Sequence, residues 1–380
     1  MYLKICRENS AVKLLVQPGD GIADLVKGID RAKKSVEILI FRFDRAEIER
    51  ALENAAKRGV LVHALIAYTN RGGENSLRKL ETRLLAAGVT IARTSDDLVR
   101  YHGKMMIIDR RILFIFAFNF TNLDIEHSRT FAVITKNSKL VQEAGKLFEA
   151  DTKRQPYTAG LATFVVSPLN ARKELTSFLK AARRELLIYD PKISDPAMIR
   201  LLEERGKTGV EIKIIGKLTR KSATMKVCSP PIRLHTRTIV RDQQQVFIGS
   251  QSLRKLELDA RREIGIIFRD PKVVSRLTKT FEHDWSPPEP PKEQPGNEKA
   301  EPAAKTAKKV AKAFAKDMPS MAPALKQVFE DVMGDVKAVE LNAKEVAETV
   351  KDAVKEAIKE VVKDAILDAE AQRKAAVDQK

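Results

Sequence analysis

Apolar residues follow two rhythms along this chain, one helical and one strand-like, and their succession occurs twice. Residues 32–40, AKKSVEILI, run from a basic helix end into an apolar, β-branched strand, and residues 182–190, ARRELLIYD, do the same. From Asp44, DRAEIERALENAAKRGVLVHALI carries helix-spaced apolar positions, a basic end, Gly-Val and then a strand-like run. From Asp195, DPAMIRLLEERGKTGVEIKII repeats that order. The offset is 150 residues in the first pair and 151 in the second, so the register is nearly kept and one unit has been duplicated. The first copy holds a further helical pattern, ENSLRKLETRLLAAG (74–88), that the second lacks. Each copy then shows strand, charged turn and strand: YHGKMMIIDRRILFIFAFNFTN (101–122) and LHTRTIVRDQQQVFIGSQSL (234–253). Strands alternating with helices predict an α/β fold, each copy a sheet covered by helices, the two packed as one pseudo-symmetric body. The predicted boundaries are 1–156 and 157–285.

At Ser286 the pattern changes. Residues 286–304 are rich in Pro and Glu and predict an extended linker. Residues 305–380 predict a charged helical tail in which Val346, Val350, Val354, Ile358, Val361 and Ala365 form one apolar stripe. Such a stripe suits self-association, a partner helix or a membrane surface.

Composition narrows the class. With 43% hydrophobic and 32% charged residues in 380, a disordered polymer or a collagen-like repeat is excluded. The net charge of +18 divides into +19 for residues 1–285 and −1 for the rest. A body that basic is expected to meet polyanions: nucleic acid, phosphorylated metabolites or an anionic lipid surface. Two cysteines, Cys6 and Cys228, rule out a disulfide framework or a Cys-rich zinc site. The opening MYLKICRENS lacks the apolar core of a signal peptide, and no window approaches the ~18 apolar residues of a membrane span. The expected location is cytoplasmic, with peripheral contact at the inner membrane face open to the basic body and the tail.

The chemistry concentrates in the two strand–turn–strand segments, His102-x-Lys104-x4-Asp109 and His235-x-Arg237-x4-Asp242. Side chains two apart on a strand share a face, so each imidazole stands beside a cation. Asp109 and Asp242 lie an odd number of residues away and are expected to brace the turns. Twin imidazole–cation pairs suit a phosphodiester held between two cations while one histidine attacks phosphorus and the other protonates the leaving oxygen. Lys104 and Arg237 would neutralise the non-bridging oxygens. Neither metal nor cofactor is required. A single His-x-Lys on a strand usually means nothing; two at matching points of a duplication carry more weight. His63 is expected to be structural, His127 to lie at the surface or line the pocket, and His283 to serve packing at the end of the body.

The paired motifs, 133 residues apart on duplicated units, resemble the phospholipase D superfamily over about residues 10–285. Asn119-Phe120-Thr121 after the first motif, Gly249-Ser250 after the second, and Arg261-Arg262-Glu263 add to the likeness. The resemblance implies two α/β/α sandwich units with mixed sheets and a metal-independent phosphohistidine mechanism. It makes His102 the nucleophile and His235 the acid/base, with Asn119, Ser250 and Ser252 joining Lys104 and Arg237 at the phosphate and Glu263 in support. It implies a phospholipase or phosphatidyltransferase acting on headgroup diesters; a nuclease, or a weakened phosphate- or partner-binding member, are the alternatives. The chain departs from the family pattern at Phe116-Ala117 (for Gly-Ser), Arg237 (for Lys), Ser252 (for Asn) and Thr130 (for an acid). Removing residues 286–380 is expected to leave the cooperative unfolding of the body in place; aggregation or loss of the thermal transition would contradict the linker assignment.

Overall fold

The structure, a computed structural model, describes residues 12–69, 74–220, 222–230 and 232–285. The linker, the striped tail and Cys6 lie outside the described residues. In the first copy β1 (Lys13–Gln17), α1 (Ala23–Asp30), β2 (Ser35–Ile40), α2 (Ala46–Lys57) and β3 (Leu61–Ile66) lead to α3 (Glu74–Ala86) and β4 (Thr90–Arg93). Then come β5 (Arg100–Tyr101), β6 (Met105–Ile108), β7 (Ile112–Phe116), α4 (Asn122–Glu126), β8 (Ser128–Thr135) and α5 (Ser138–Lys153). The second copy opens with β9 (Phe164–Val166), α6 (Ala171–Lys180), β10 (Glu185–Ile193), α7 (Pro196–Lys207) and β11 (Glu211–Leu218). It continues with β12 (Met225–Cys228), β13 (Arg233–Leu234), β14 (Arg237–Arg241) and β15 (Gln245–Gly249). It closes with α8 (Lys255–Asp259), β16 (Arg261–Arg262), β17 (Ile264–Phe268) and α9 (Pro271–Asp284).

The main sheets run β1-β8-β7-β6-β2-β3-β4 and β9-β17-β15-β14-β10-β11-β12, the same order copy for copy. Both are mixed: β2·β3 and β10·β11 are parallel, β2·β6 and β10·β14 antiparallel. The duplication and the α/β class are as the sequence predicts, down to helix α3, which fills the connection shorter in the second copy.

Alternation along the strands explains the layering. Leu39 of β2 and Leu187 and Tyr189 of β10 join a core shared by both copies, with α5 and α9 residues such as Leu147, Phe148, Leu277 and Phe281. The opposite faces carry Ile38 and Ile40 under α1–α3, and Leu186 and Ile188 under α6–α8. Arg129 of the first copy meets Asp284 of the second at 2.6 Å, and Tyr189 joins that carboxylate from within the second copy at 2.8 Å. His283, expected to pack, is exposed; its neighbour Asp284 makes that polar joint, and Trp285 stacks on Phe281. One residue along α9 is a rotation of about 100°, which leaves the imidazole in solvent and turns the carboxylate inward.

Asp109 and Asp242 brace the turns. The tight turns Ile108–Arg111 and Arg241–Gln244 place Asp109, Arg110, Asp242 and Gln243 at φ +53°, a left-handed region that Asp tolerates better than most non-glycine residues. Each carboxylate reaches the start of the neighbouring strand, β2 or β10: Asp109 accepts the N–H groups of Lys33, Lys34 and Ser35, Asp242 those of Arg183, Arg184 and Glu185. Partial burial opposes their ionisation, yet these donors hold both pKa values below the usual carboxylate value. Their stabilisation is therefore present above the unfolded carboxyl pKa and lost as pH falls through the lower folded value. Asp109→Ala is expected to lower stability by about 1–3 kcal/mol, the cost of abandoned charge-assisted hydrogen bonds, with a smaller loss of stability on acidification. Chemical denaturation at pH 7 and pH 3 measures both effects.

Candidate active site

Two very short ladders build the site, and both cross between the copies. β5 pairs in parallel with β16, and the His102 N–H donates to Arg262 O at 2.7 Å. β13 pairs in parallel with β8, and the His235 N–H donates to Arg129 O at 3.1 Å. Each copy thus hands its histidine to the other. Gly103, between His102 and Lys104, lets Ile264 of the second copy pack where a Cβ would stand 2.5 Å from its Cδ1.

His102 is buried, edge-on to Phe41 at 4.6 Å, with Nδ1 2.9 Å from Glu263 Oε2. With the carboxylate accepting, the neutral ring is the Nδ1–H tautomer and Nε2 carries the lone pair. Burial, followed by the cations Lys104, Arg237, Arg100 and Arg261, holds the His102 pKa well below the usual histidine value. A neutral ring with its lone pair at Nε2 results. Glu263 is itself fully buried and its pKa is raised by that burial, against the pull of Lys104, Arg261 and Arg237.

Lys104 is 1% exposed and donates from Nζ to the His102 carbonyl at 2.7 Å. Burial lowers its pKa to about 7, against the favourable field of Glu263. Arg237 remains charged: burial works against it, but Glu257, Glu263, Asp190 and Asp124 together prevail. Its nearest carboxylate contact is 3.7 Å, from Nη2 to Glu257 Oε2. Among the described residues its buried Nε and Nη1 have no hydrogen-bond partner, nor does Arg261 Nε. Buried donors left unmade are costly, and an oxyanion supplies what they lack. Arg261 and Arg100 face each other in the β5·β16 register.

His235 is partly buried; its Nδ1 lies 3.3 Å from Asp124 Oδ2 without the alignment of a hydrogen bond. Burial, with Arg233, Arg237 and Lys104, holds its pKa well below the usual histidine value, against the opposing field of Asp124. Asp124 receives the Asn119 N–H and Nδ2 (2.9 and 2.8 Å) and Arg233 Nη1 (2.7 Å). No pattern in the sequence singled out Asp124 or Glu257. Comparing the copies would have found them, since Asp124 follows Asn119 by the same five residues as Glu257 follows Ser252.

The remaining sequence candidates divide. Ser250 Oγ accepts the Ile264 N–H at 3.1 Å and helps keep Glu263 ionised. The Ser252 hydroxyl donates to Asp190, and the Asn119 amide is committed to Asp124, so both hold carboxylates around the site. Phe116 turns away from the cleft into the outer core among Phe114, Phe118 and Phe120. Its counterpart Gly249 lies so close to Gly265 that a Cβ would meet that backbone at 2.7 Å; Phe116 instead opposes Ala132. His63 packs edge-on to Phe148, and His127 is exposed at the end of α4. Cys228 is buried. Among the described residues no group of His, Cys, Asp or Glu is placed to hold a metal ion, and no helix is long and apolar enough to cross a membrane.

The family model described as cardiolipin synthase, phospholipase D-like domain, matches residues 25–152 and 175–285. A polyphosphate kinase of Pseudomonas syringae is 24% identical over 318 residues, covering 72% of this chain and 42% of that protein. A mitochondrial cardiolipin hydrolase of Danio rerio is 29% identical over 130 residues, covering 33% of this chain and 56% of that protein. The chain therefore spans about half the length, or less, of these relatives. The crystal structure of phosphatidylserine synthase from Haemophilus influenzae shares the fold, with a TM-score of 0.55 at 11% identity over 72% of this chain and 85% of that one. With both copies matched, and both histidine–cation pairs inside the matched segments, the chain belongs to the phospholipase D-like family.

Proposed function

We propose that this chain is a phosphodiesterase or phosphatidyltransferase that works through a phosphohistidine at His102, with a phospholipid headgroup diester as substrate. The observation that carries it is a neutral His102, pinned at Nδ1 by Glu263, in a buried cleft where Arg237 keeps unpaired donors. Arg237 and protonated Lys104 hold the non-bridging oxygens. His102 Nε2 attacks phosphorus; the N–P bond forms as the bond to the leaving oxygen breaks, and that oxygen takes the proton from His235 Nε2. In the second half His235 accepts a proton from water or an alcohol, whose oxygen displaces His102 from phosphorus and restores both rings. No step draws on a metal ion.

Asp124 supports this division of labour. Its pKa is held well below the usual carboxylate value: burial opposes ionisation, but His235 and Arg233 outweigh it. Burial holds the His235 pKa well below the usual histidine value, as it does for His102. At His235, however, an ionised carboxylate works against that shift, whereas the charges acting on His102 are cations, so His235 is the better suited of the two to take up and deliver a proton.

A second reading, transfer from a phosphoanhydride chain, is favoured by Arg100 and Arg261, two cations beyond those that one diester needs, both bearing on His102. The polyphosphate kinase relatives, which match across both copies, agree with it. Parallel assays on phosphatidylglycerol, single-stranded DNA and polyphosphate, with and without EDTA, rank the substrates; insensitivity to EDTA is expected throughout.

With p-nitrophenyl phosphodiesters, wild type and His235→Ala are expected to accumulate an acid-labile, alkali-stable phosphoenzyme, because an activated leaving group needs no proton. His102→Ala should form none. With unactivated diesters His235→Ala should lose about 10²–10⁴ in rate. Equal rates in all three proteins would refute the mechanism. Sulfate, whose charge is fixed near neutrality, should bind the free protein less well as pH rises through about 7 and Lys104 loses its proton. Lys104→Arg should abolish that dependence, as isothermal titration at pH 6 and pH 8.5 would show.

A further inference from the structure

We infer that Asp124 is the positioning carboxylate of His235, filling a place left empty by Thr130. The inference rests on the mechanism proposed above and extends it to a residue outside both motifs. Glu263 lies 28 residues after His235, and Thr130 lies 28 residues after His102. The crossed ladders make these positions structural equivalents: Glu263 follows β16 and meets His102, while Thr130 follows the β8 residues that pair with β13 and meets His235. The Thr130 hydroxyl, however, donates to the His235 carbonyl oxygen at 2.9 Å. It is committed to the backbone and carries no charge to support an imidazolium.

The carboxylate comes from six residues earlier. Asp124 is 2% exposed, with Oδ2 3.3 Å from His235 Nδ1. Asn119, on Oδ2, and Arg233, on Oδ1, clamp it. The counterpart Glu257 accepts the Ser252 N–H at 2.7 Å, as Asp124 accepts that of Asn119, but faces Arg237, Arg254 and Arg261 rather than a histidine. One slot in the duplicated unit therefore serves two purposes, anchoring a cation in the second copy and orienting an imidazole in the first. The ring nitrogen of His235 is buried and unpaired among the described residues, and a small tilt toward Oδ2 closes the bond when the ring is protonated.

The charged groups that act on His235 are Asp124, Arg233, Arg237 and Lys104, and among these only Asp124 favours the protonated ring. Histidine labelled with ¹⁵N in the full chain reads this directly by NMR, without turnover. Neutral His235 in the wild type should be the Nδ1–H tautomer, and Asp124→Asn should lower its pKa by about one unit or more. The same variant should lower kcat for unactivated diesters by about 10²-fold with KM little changed, and cost far less for p-nitrophenyl esters. In a His235→Ala background, Asp124→Asn should cost nothing further. An Nε2–H tautomer in the wild type overturns the inference even if the variant fails to fold; so does an unchanged His235 pKa in a folded Asp124→Asn protein. Absence of any phosphoenzyme would instead overturn the mechanism, leaving the Asp124–His235 coupling measured by NMR.

Discussion

The site depends on the exchange of two-residue strands between the copies. β5 and β13 add little stability themselves, since two residues bury little and make few ladder bonds. Their effect is positional. Each fixes the backbone of a histidine on the opposite copy through one N–H···O bond, and each thereby sets which carboxylate that histidine meets. The shared core of α5, α9 and the facing sheets keeps the two ladders in register. A loosened core would misplace both rings together.

The cleft concentrates positive charge under conditions that ordinarily disfavour it. Taking Lys104 and Arg237 out of water carries a penalty that only nearby carboxylates or a bound anion can offset. The protein meets it unequally. Arg237 has four carboxylates acting in its favour and stays charged, whereas Lys104 is left close to the balance point at neutral pH. The second-motif arginine, a departure from the family pattern, is thus a change in charge permanence as much as in shape.

Much of this was legible in the chain. The duplication, the helices and strands around residues 32–66 and 182–218, both histidines and the turn-bracing role of Asp109 and Asp242 all follow from periodicity and spacing, because each signal spans many residues. Glu263 followed from a family likeness. Asp124 was not legible: it sits on a five-residue helix with no periodic pattern, and its importance arises only from a contact with a residue far along the chain. The same holds for Asp284, whose partners Arg129 and Tyr189 come from both copies. Where Phe116 points was not legible from its departure from the family pattern. Strand alternation sends its ring into the outer core, where truncating a fully buried phenylalanine costs about 3–5 kcal/mol.

Crossed completion also makes each copy insufficient alone. A solitary copy would own an imidazole but not the acid beside it, so either half is complete only next to a second one. Because the two sides are separate stretches of one chain they are free to differ, and the first carries Thr130 and Phe116-Ala117 where the second carries Glu263 and Gly249-Ser250.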